Sequence, residues 1–299
     1  MKLYYGIGAS CPPGPNYLPD CVKDIVVSER IHKNAGWDTR IFTGEIVNPQ
    51  AVIDTAAALF RPGVTHYDEV RIDNSSHGGV SEKEYFLYWG GNAYIMWFDA
   101  FVNFVILRAS ECSDKVSVII DACHAGHALK QKEIKRLTKA GLHPEVAAAM
   151  APVKVADSPI NDGKLPLYWW GGAKAITEAK ALPSNVFMIA ACPANKVALG
   201  AILGWTEGGI WPASTCGTSV LHSALGRHYH WWGNPGNIHD YWDDHYSTPI
   251  KVVNWLQGAV AGMKHGLAPV GYRTGGWLWE SWGLPIGKWG KDYEGVFDL

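Results

Sequence analysis

Short apolar runs ending in glycine or other small residues recur along this chain of 299 residues, and stretches with helical spacing lie between them. An apolar run of this length, closed by turn residues, reads as a buried strand. Strands that alternate with helices are the pattern of a parallel sheet covered on both faces. Strands are predicted at 3–8, 39–43, 69–73, 115–122 and 186–191, with a last one near 269–272. Helices are predicted at 20–35, at 93–108, at 217–227 and at 249–265. For the first of these Asp20 is the expected N-cap. A further helix opens at Asn48-Pro49, a cap followed by proline at the first helical position, and runs to about Phe60. The expected fold class is α/β, with a mostly parallel central sheet of about six strands and helices on both faces. No internal repeat or low-complexity segment interrupts the pattern.

Two of these strands end in residues that carry chemistry. The run 69–73 leads through Asn74-Ser75-Ser76 to His77-Gly78-Gly79, and the run 115–122 leads to Cys123-His124-Ala125-Gly126. Open α/β sheets hold their binding crevice at the carboxyl ends of the strands. A thiol placed there, with an imidazole to take its proton, is the minimal equipment for covalent attack on a carbonyl. Each residue has a plain alternative when taken alone. Cys123 can be a core cysteine, and His77 a loop histidine followed by a glycine turn. A core cysteine, however, has no need of the small residues that follow Cys123, where a turning chain leaves backbone N–H groups free to hold an oxyanion.

Bulk properties narrow the partners. Formal net charge is −2 and charged residues make up 18% of the chain, so electrostatics supplies no reason to expect nucleic acid or an anionic membrane as partner. The longest apolar stretches fall far short of the roughly 18–20 residues that cross a bilayer. Met1-Lys2-Leu3-Tyr4-Tyr5-Gly6-Ile7-Gly8 has no long apolar run with a cleavage site and reads as a first strand, not a signal peptide. The six cysteines (Cys11, Cys21, Cys112, Cys123, Cys192 and Cys216) are scattered singly. This argues against a disulfide scaffold and a four-cysteine zinc site, and for a reduced, cytoplasmic setting. No metal or cofactor is expected.

The motifs around the two residues resemble those of caspase-like cysteine peptidases, and of metacaspases most of all. Ser75-Ser76-His77-Gly78 is similar to the Ser-Gly-His-Gly of that family, and Asp121-Ala122-Cys123-His124-Ala125-Gly126 to Asp-Ser-Cys-His-Ser-Gly. His77 lies 46 positions before Cys123, near the roughly 50 typical of such enzymes. Tyr4-Tyr5-Gly6-Ile7-Gly8 resembles the opening strand, and Leu18-Pro19-Asp20-Cys21-Val22-Lys23-Asp24 the Leu-x-Gly-Cys-x-x-Asp segment. Ile189-Ala190-Ala191-Cys192 and the segment 219–225 resemble the small-subunit strand and helix.

The resemblance implies a caspase-like fold in one peptidase domain over 1–274. A large-subunit-like part (1–129), a connection (130–184) and a small-subunit-like part (185–274) would make it up, with a Trp-rich tail at 275–299 packed on it. It implies Cys123 as nucleophile, His77 as general base and acid, and the N–H groups of Gly78 and Cys123 as oxyanion hole. Asp24, Asp121, Ser75 and Cys21 match the pocket for a basic P1 residue, where two carboxylates would favour Arg or Lys. The substrate is then a polypeptide and the enzyme a monomer. Self-cleavage between Lys130 and Lys139 is expected on a par with a plain solvated helix face there.

The chain departs from the resemblance in two ways that bear on calcium. The position of a calcium-binding aspartate, seven residues after the cysteine, is Lys130, a cation that does not ligate calcium. The acidic run after the histidine motif is replaced by Glu84-Tyr85-Phe86-Leu87-Tyr88-Trp89-Gly90-Gly91-Asn92. Calcium-independent activity is expected. Ser76 also stands where the family has glycine.

Other readings stay open beside this one. The chain could be an active peptidase selecting Asp or Asn at P1, or an inactive caspase-like binding or scaffold module. Ten of the 15 tryptophans lie between Trp205 and Trp289, which admits a glycan-binding or glycan-cleaving protein. The group His228, His230, His239, His245, Asp240, Asp243 and Asp244 matches no metal-ligand spacing and reads as a surface loop with aromatic packing. Gly6-Ile7-Gly8-Ala9-Ser10-Cys11 fails the dinucleotide-binding pattern at its third glycine, and no serine-hydrolase GxSxG is completed.

Overall fold

The computed structural model describes residues 1–13, 17–81, 84–123, 125, 183–192, 198, 219, 221–222, 225, 252–253, 256–257 and 285–289. Its centre is a six-stranded sheet. Strand β1 (Lys2–Ala9) pairs in parallel with β2 (Asp38–Gly44) on one side and with β3 (Tyr67–Ser75) on the other. Strands β4 (His77–Ser81), β5 (Glu84–Tyr88) and β6 (Ile95–Trp97) form a separate antiparallel sheet. Beyond β3 the main sheet continues in parallel through β7 (Ser113–Asp121) to β8 (Val186–Ala190). An antiparallel edge strand, β9 (Ile286–Trp289), completes the order β2-β1-β3-β7-β8-β9. The expected α/β class, with a mostly parallel sheet of six strands, is what the chain forms.

The two faces of β1 are covered differently. Leu3, Tyr5, Ile7 and Ala9 join the main apolar core, together with Val52, Phe60, Val70, Ile72, Phe101 and Val118. That face is covered by the helix Pro49–Leu59, on which the Tyr5 hydroxyl donates to Val52 O (2.6 Å). The opposite face carries Tyr4, Gly6 and Gly8, and there helix α1 (Pro19–Asn34) packs with Ile25 against Tyr4. The helix Pro49–Leu59 is α2. Gly8 is needed for the close approach of α1, because a Cβ there would stand 2.6 Å from Cys21 O. A larger residue would push away the turn of α1 that carries Cys21 and Asp24.

Three sequence expectations need correction. Asp20 does not cap α1. The helix begins at Pro19 with Leu18 at the N-cap position and no side-chain cap bond, and Asp20 sits inside the first turn. Proline at the first helical position is preorganised by its fixed φ and needs no N–H partner, so the start moves one residue earlier. Asn48 does cap α2, accepting from Gln50 N (2.9 Å). The second correction concerns the predicted helix over 93–108. Its first residues instead form a short 3₁₀ turn (Asn92–Tyr94) and strand β6. Helical structure starts only with α3 (Phe98–Phe101), passes through a π-helical turn (Val102–Ile106) and ends with α4 (Leu107–Glu111). Pairing of Phe86, Leu87 and Tyr88 with Trp97, Met96 and Ile95 claims those residues for a sheet.

The third correction adds a strand, β5, within the stretch 84–92, where the apolar runs predict none. Tyr85, Leu87 and Trp89 are buried while Phe86 and Tyr88 are half-buried, an alternation with the period of two that marks a strand. The strand expected near 269–272 lies outside the described residues. The edge strand β9 comes from the segment 275–299. No described helix is long and apolar enough to cross a membrane.

Candidate active site

The two candidate catalytic residues follow directly from neighbouring strands. β3 and β7 are paired in parallel with Ser75 opposite Asp121, and Ser76 N donates to Asp121 O (3.1 Å) just past the last pair. His77 and Cys123 therefore sit at the same level, each two residues beyond a paired position, at the carboxyl edge of the sheet. The main chain of β4 passes close against that of Cys123. A Cβ on Gly78 would overlap Cys123 O, and the Tyr85 hydroxyl donates to the same carbonyl (3.3 Å). Only glycine allows this approach. Gly78 thus lies beside Cys123.

Cys123 is half-buried, and its Sγ lies 3.9 Å from Ala198 O. Burial pushes the thiol above its ordinary range, and the nearby Asp121 carboxylate adds to the rise. Such a thiol is neutral near pH 7 and needs a base to become a nucleophile. His77, also half-buried, has its ring edge-on to Tyr88 with centroids 6.4 Å apart. Its backbone is held by a chain of side-chain bonds absent from the sequence reading. Trp89 Nε1 donates to Asn74 Oδ1 (2.9 Å), Asn74 Nδ2 to Ser76 Oγ (3.0 Å), and Ser76 Oγ to His77 O (3.0 Å). Ser76 therefore has a task that a glycine at that position could not perform.

The four pocket candidates meet on the α1 face of the sheet. Alternation along β3 places Glu69, Arg71, Asp73 and Ser75 on that side, all buried. The Ser75 hydroxyl donates to Asp24 Oδ2 (2.6 Å), and Cys21 adjoins Ser75 one turn earlier on α1. Burial raises the Cys21 thiol strongly, and the charges of Asp20 and Asp24 raise it further. Asp121, at the end of β7, faces the same space.

That space has an occupant that sequence reasoning did not identify. His222 is buried with its ring between three carboxylates. Nδ1 faces Asp121 Oδ2 (2.8 Å) and lies 3.5 Å from Asp24 Oδ2, and Nε2 faces Asp73 Oδ1 (3.0 Å). Both ring nitrogens point at carboxylates, which as anions only accept, so the imidazolium form satisfies the geometry. The His222 pKa is held well above its ordinary value: burial opposes the charge, but Asp24 and Asp73 outweigh it, helped by the bonds to Asp121 and Asp73. Asp24 is raised to about 8, chiefly by burial, with His222 acting against that rise.

The remaining contacts complete the chamber. Tyr4 OH donates to Asp73 Oδ2 (2.9 Å), and Ser219 N to Asp24 Oδ1 (2.7 Å). The Ser219 hydroxyl donates to Asp121 and accepts from His222 N (3.1 Å), the geometry of an N-cap. A sequence signal for this did exist, since Ser219 precedes His222 by three in a stretch read as a helix. Nothing in the sequence showed that the helix would bring its histidine to Asp24 and Asp121.

Asp24, Asp121 and His222 each offer an atom within 4.8 Å of the others, as do the exposed His66, Asp68 and Asp114. These are the described groups that could hold a metal. The basic stretch between Lys130 and Lys139 and the group from His228 to His245 lie outside the described residues.

No protein-family model matches this chain, and no curated protein matches it. Among solved structures, it is similar to the initiator caspase Dronc of Drosophila, with 8% identity, a TM-score of 0.49, and coverage of 99% of this chain and 82% of that one. It is similar to caspase-1 from Spodoptera frugiperda, with 11% identity, a TM-score of 0.49, and coverage of 97% and 85%. It is also similar to protein GSU0716 from Geobacter sulfurreducens, with 15% identity, a TM-score of 0.43, and coverage of 81% and 86%.

Proposed function

We propose that this protein is a cysteine endopeptidase that uses Cys123 and His77, cleaves after Arg or Lys, and needs no calcium. The observation that carries the reading is the juxtaposition at the carboxyl edge of β3 and β7. A thiol and an imidazole follow paired ends of adjacent parallel strands, and the glycine after the imidazole lies against the carbonyl of the cysteine.

In this reaction His77 takes the Cys123 proton as Sγ attacks the scissile carbonyl carbon. The carbonyl π pair moves to oxygen, where the N–H groups of Gly78 and Cys123 are the proposed donors. Collapse breaks the C–N bond, and His77 returns the proton to the leaving amine. Water, deprotonated by His77, then attacks the thioester and frees the acid and the thiol. The raised thiol pKa gives the base its task, because without proton removal the sulfur is a weak nucleophile at neutral pH.

The basic P1 preference is supported by Asp24 and Asp121, two carboxylates beside Ser75 and Cys21. Asp121 ends β7 two residues before Cys123. Calcium independence is supported by Lys130 and by the aromatic stretch 84–92.

A fluorogenic peptide panel with Arg, Lys, Asp or Asn at P1 tests the reading, run with calcium and with chelator on wild type and Cys123→Ala. Cleavage after Arg or Lys is expected, unchanged by chelator and lost in the variant. Cleavage only after Asp or Asn would overturn the pocket assignment. Absence of cleavage by folded protein, before and after limited proteolysis, would overturn the peptidase reading in favour of a binding or scaffold module.

A further inference from the structure

We propose that His222 is a built-in occupant of the acidic pocket, so that a basic P1 side chain gains Asp24 and Asp121 only in exchange for the imidazolium. The consequence for P1 choice rests on the peptidase reading; the occupancy itself rests on the geometry of the chamber.

Three carboxylates converge on one ring. Among the described residues, the carboxyl groups of Asp24, Asp73 and Asp121 lie within 3.5 Å of a His222 ring nitrogen. Asp24 and Asp121 are the two carboxylates a P1 guanidinium or ammonium would use, and both already face Nδ1. Asp73 is different. It lies two residues further back on β3 than Ser75, outside the pocket candidates, and bonds Nε2 from the other side of the ring. Tyr4 orients Asp73 through Oδ2. Asp73 and Tyr4 thus hold the imidazolium in place, while the other nitrogen occupies the carboxylates that matter for substrate. His222 is itself carried by a segment whose cap, Ser219, bonds both Asp24 and Asp121. Two cations cannot share this buried pair without repulsion in a low-dielectric space. A substrate cation therefore competes with an intramolecular one, so cleavage after Arg or Lys proceeds but more slowly than the two carboxylates would allow with His222 absent.

The arrangement predicts the effect of two substitutions. His222→Gln removes the internal cation while keeping hydrogen-bonding capacity. Asp73→Asn leaves Asp24 and Asp121 untouched but loosens the hold on His222. Each should raise kcat/KM for Arg or Lys at P1 relative to Asn at P1, by tenfold or more for His222→Gln and by a smaller factor for Asp73→Asn.

A second readout avoids catalysis. Butylguanidinium binding is measured by calorimetry on Cys123→Ala protein, with and without each substitution. Binding at least tenfold tighter with His222→Gln, and tighter in the same direction with Asp73→Asn, is the expected result. Should His222→Gln fail to fold by itself, a thermal transition restored by butylguanidinium supports the proposal, and no restoration overturns it. Folded variants that bind butylguanidinium no more tightly than the parent also overturn it. Tighter binding without cleavage of any peptide by any of the proteins would overturn the peptidase reading while leaving His222 as the pocket's occupant.

Discussion

At the scale of single residues, the carboxyl edge of β3 and β7 depends on close contacts that leave little room for change. Gly78 is the clearest case. A methyl group there would overlap Cys123 O, so Gly78→Ala must shift either the Cys123 main chain or the start of β4. A misplacement of about 1 Å costs on the order of 100-fold in rate. Peptidase activity of Gly78→Ala is expected to fall by about that factor while the far-ultraviolet circular dichroism of the protein is kept; activity within threefold of wild type would contradict this. Asn74 is a second case, because its amide links Trp89 to Ser76 and so to His77 O. Asn74→Ala strands the buried Trp89 N–H and should cost about 1–3 kcal/mol in urea denaturation. Cys123, His77 and Gly78 were legible as candidates because small residues and glycine after apolar runs are a local signal. Asn74 was not, since its bonds join β3 to Trp89, which follows β5, and nothing local announces that meeting.

Among the elements, the approach of α1 to the sheet decides whether Asp24 meets Ser75 and Asp121. Gly6 and Gly8 clear the face of β1 so that Ile25 and Cys21 can reach it, and this brings Asp24 to Ser75. Gly8→Ala places a carbon 2.6 Å from the Cys21 carbonyl, a backbone atom that cannot swing aside. The strain should outweigh the entropy gained by replacing a strand glycine and destabilise the protein by about 1–3 kcal/mol. Thermal unfolding checks this, and an unchanged or higher transition would contradict it. The parallel strands and α2 were legible from period and capping, because both signals reside in adjacent residues. The antiparallel sheet of β4, β5 and β6 was missed although Tyr85, Leu87 and Trp89 alternate with Phe86 and Tyr88. Aromatic residues on both sides of the alternation masked its period.

For the molecule as a whole, the chamber of Asp24, Asp73, Asp121 and His222 couples folding to pH. His222 has a folded pKa raised well above its unfolded value of about 6.5, so its contribution is fully present below that value and is lost as pH rises through the folded one. Asp24, raised to about 8, retains a proton that the unfolded chain releases near 3.9, so it too favours folding less as pH climbs from about 4 to 8. Among the described residues, the groups facing His222 are Asp24, Asp73, Asp121, Ser219 and, through Asp73, Tyr4; Cys21 and Asp20 lie beyond Asp24. Both shifts act in the same direction. The thermal transition is expected to fall as pH rises from about 6.5 to about 8, with a shallower fall in His222→Gln. A transition that rises over this range, or a slope untouched by the substitution, would contradict the assignment. Local pattern by itself determined the α/β class, the parallel strands and the placing of His77 and Cys123 at one edge, because periodicity, turn residues and caps act between near neighbours. Only the tertiary structure decided that residues as distant as Asp24, Asp73, Asp121 and His222 share one buried space. Charges so far apart in the chain acquire a common field only when folding removes the water between them.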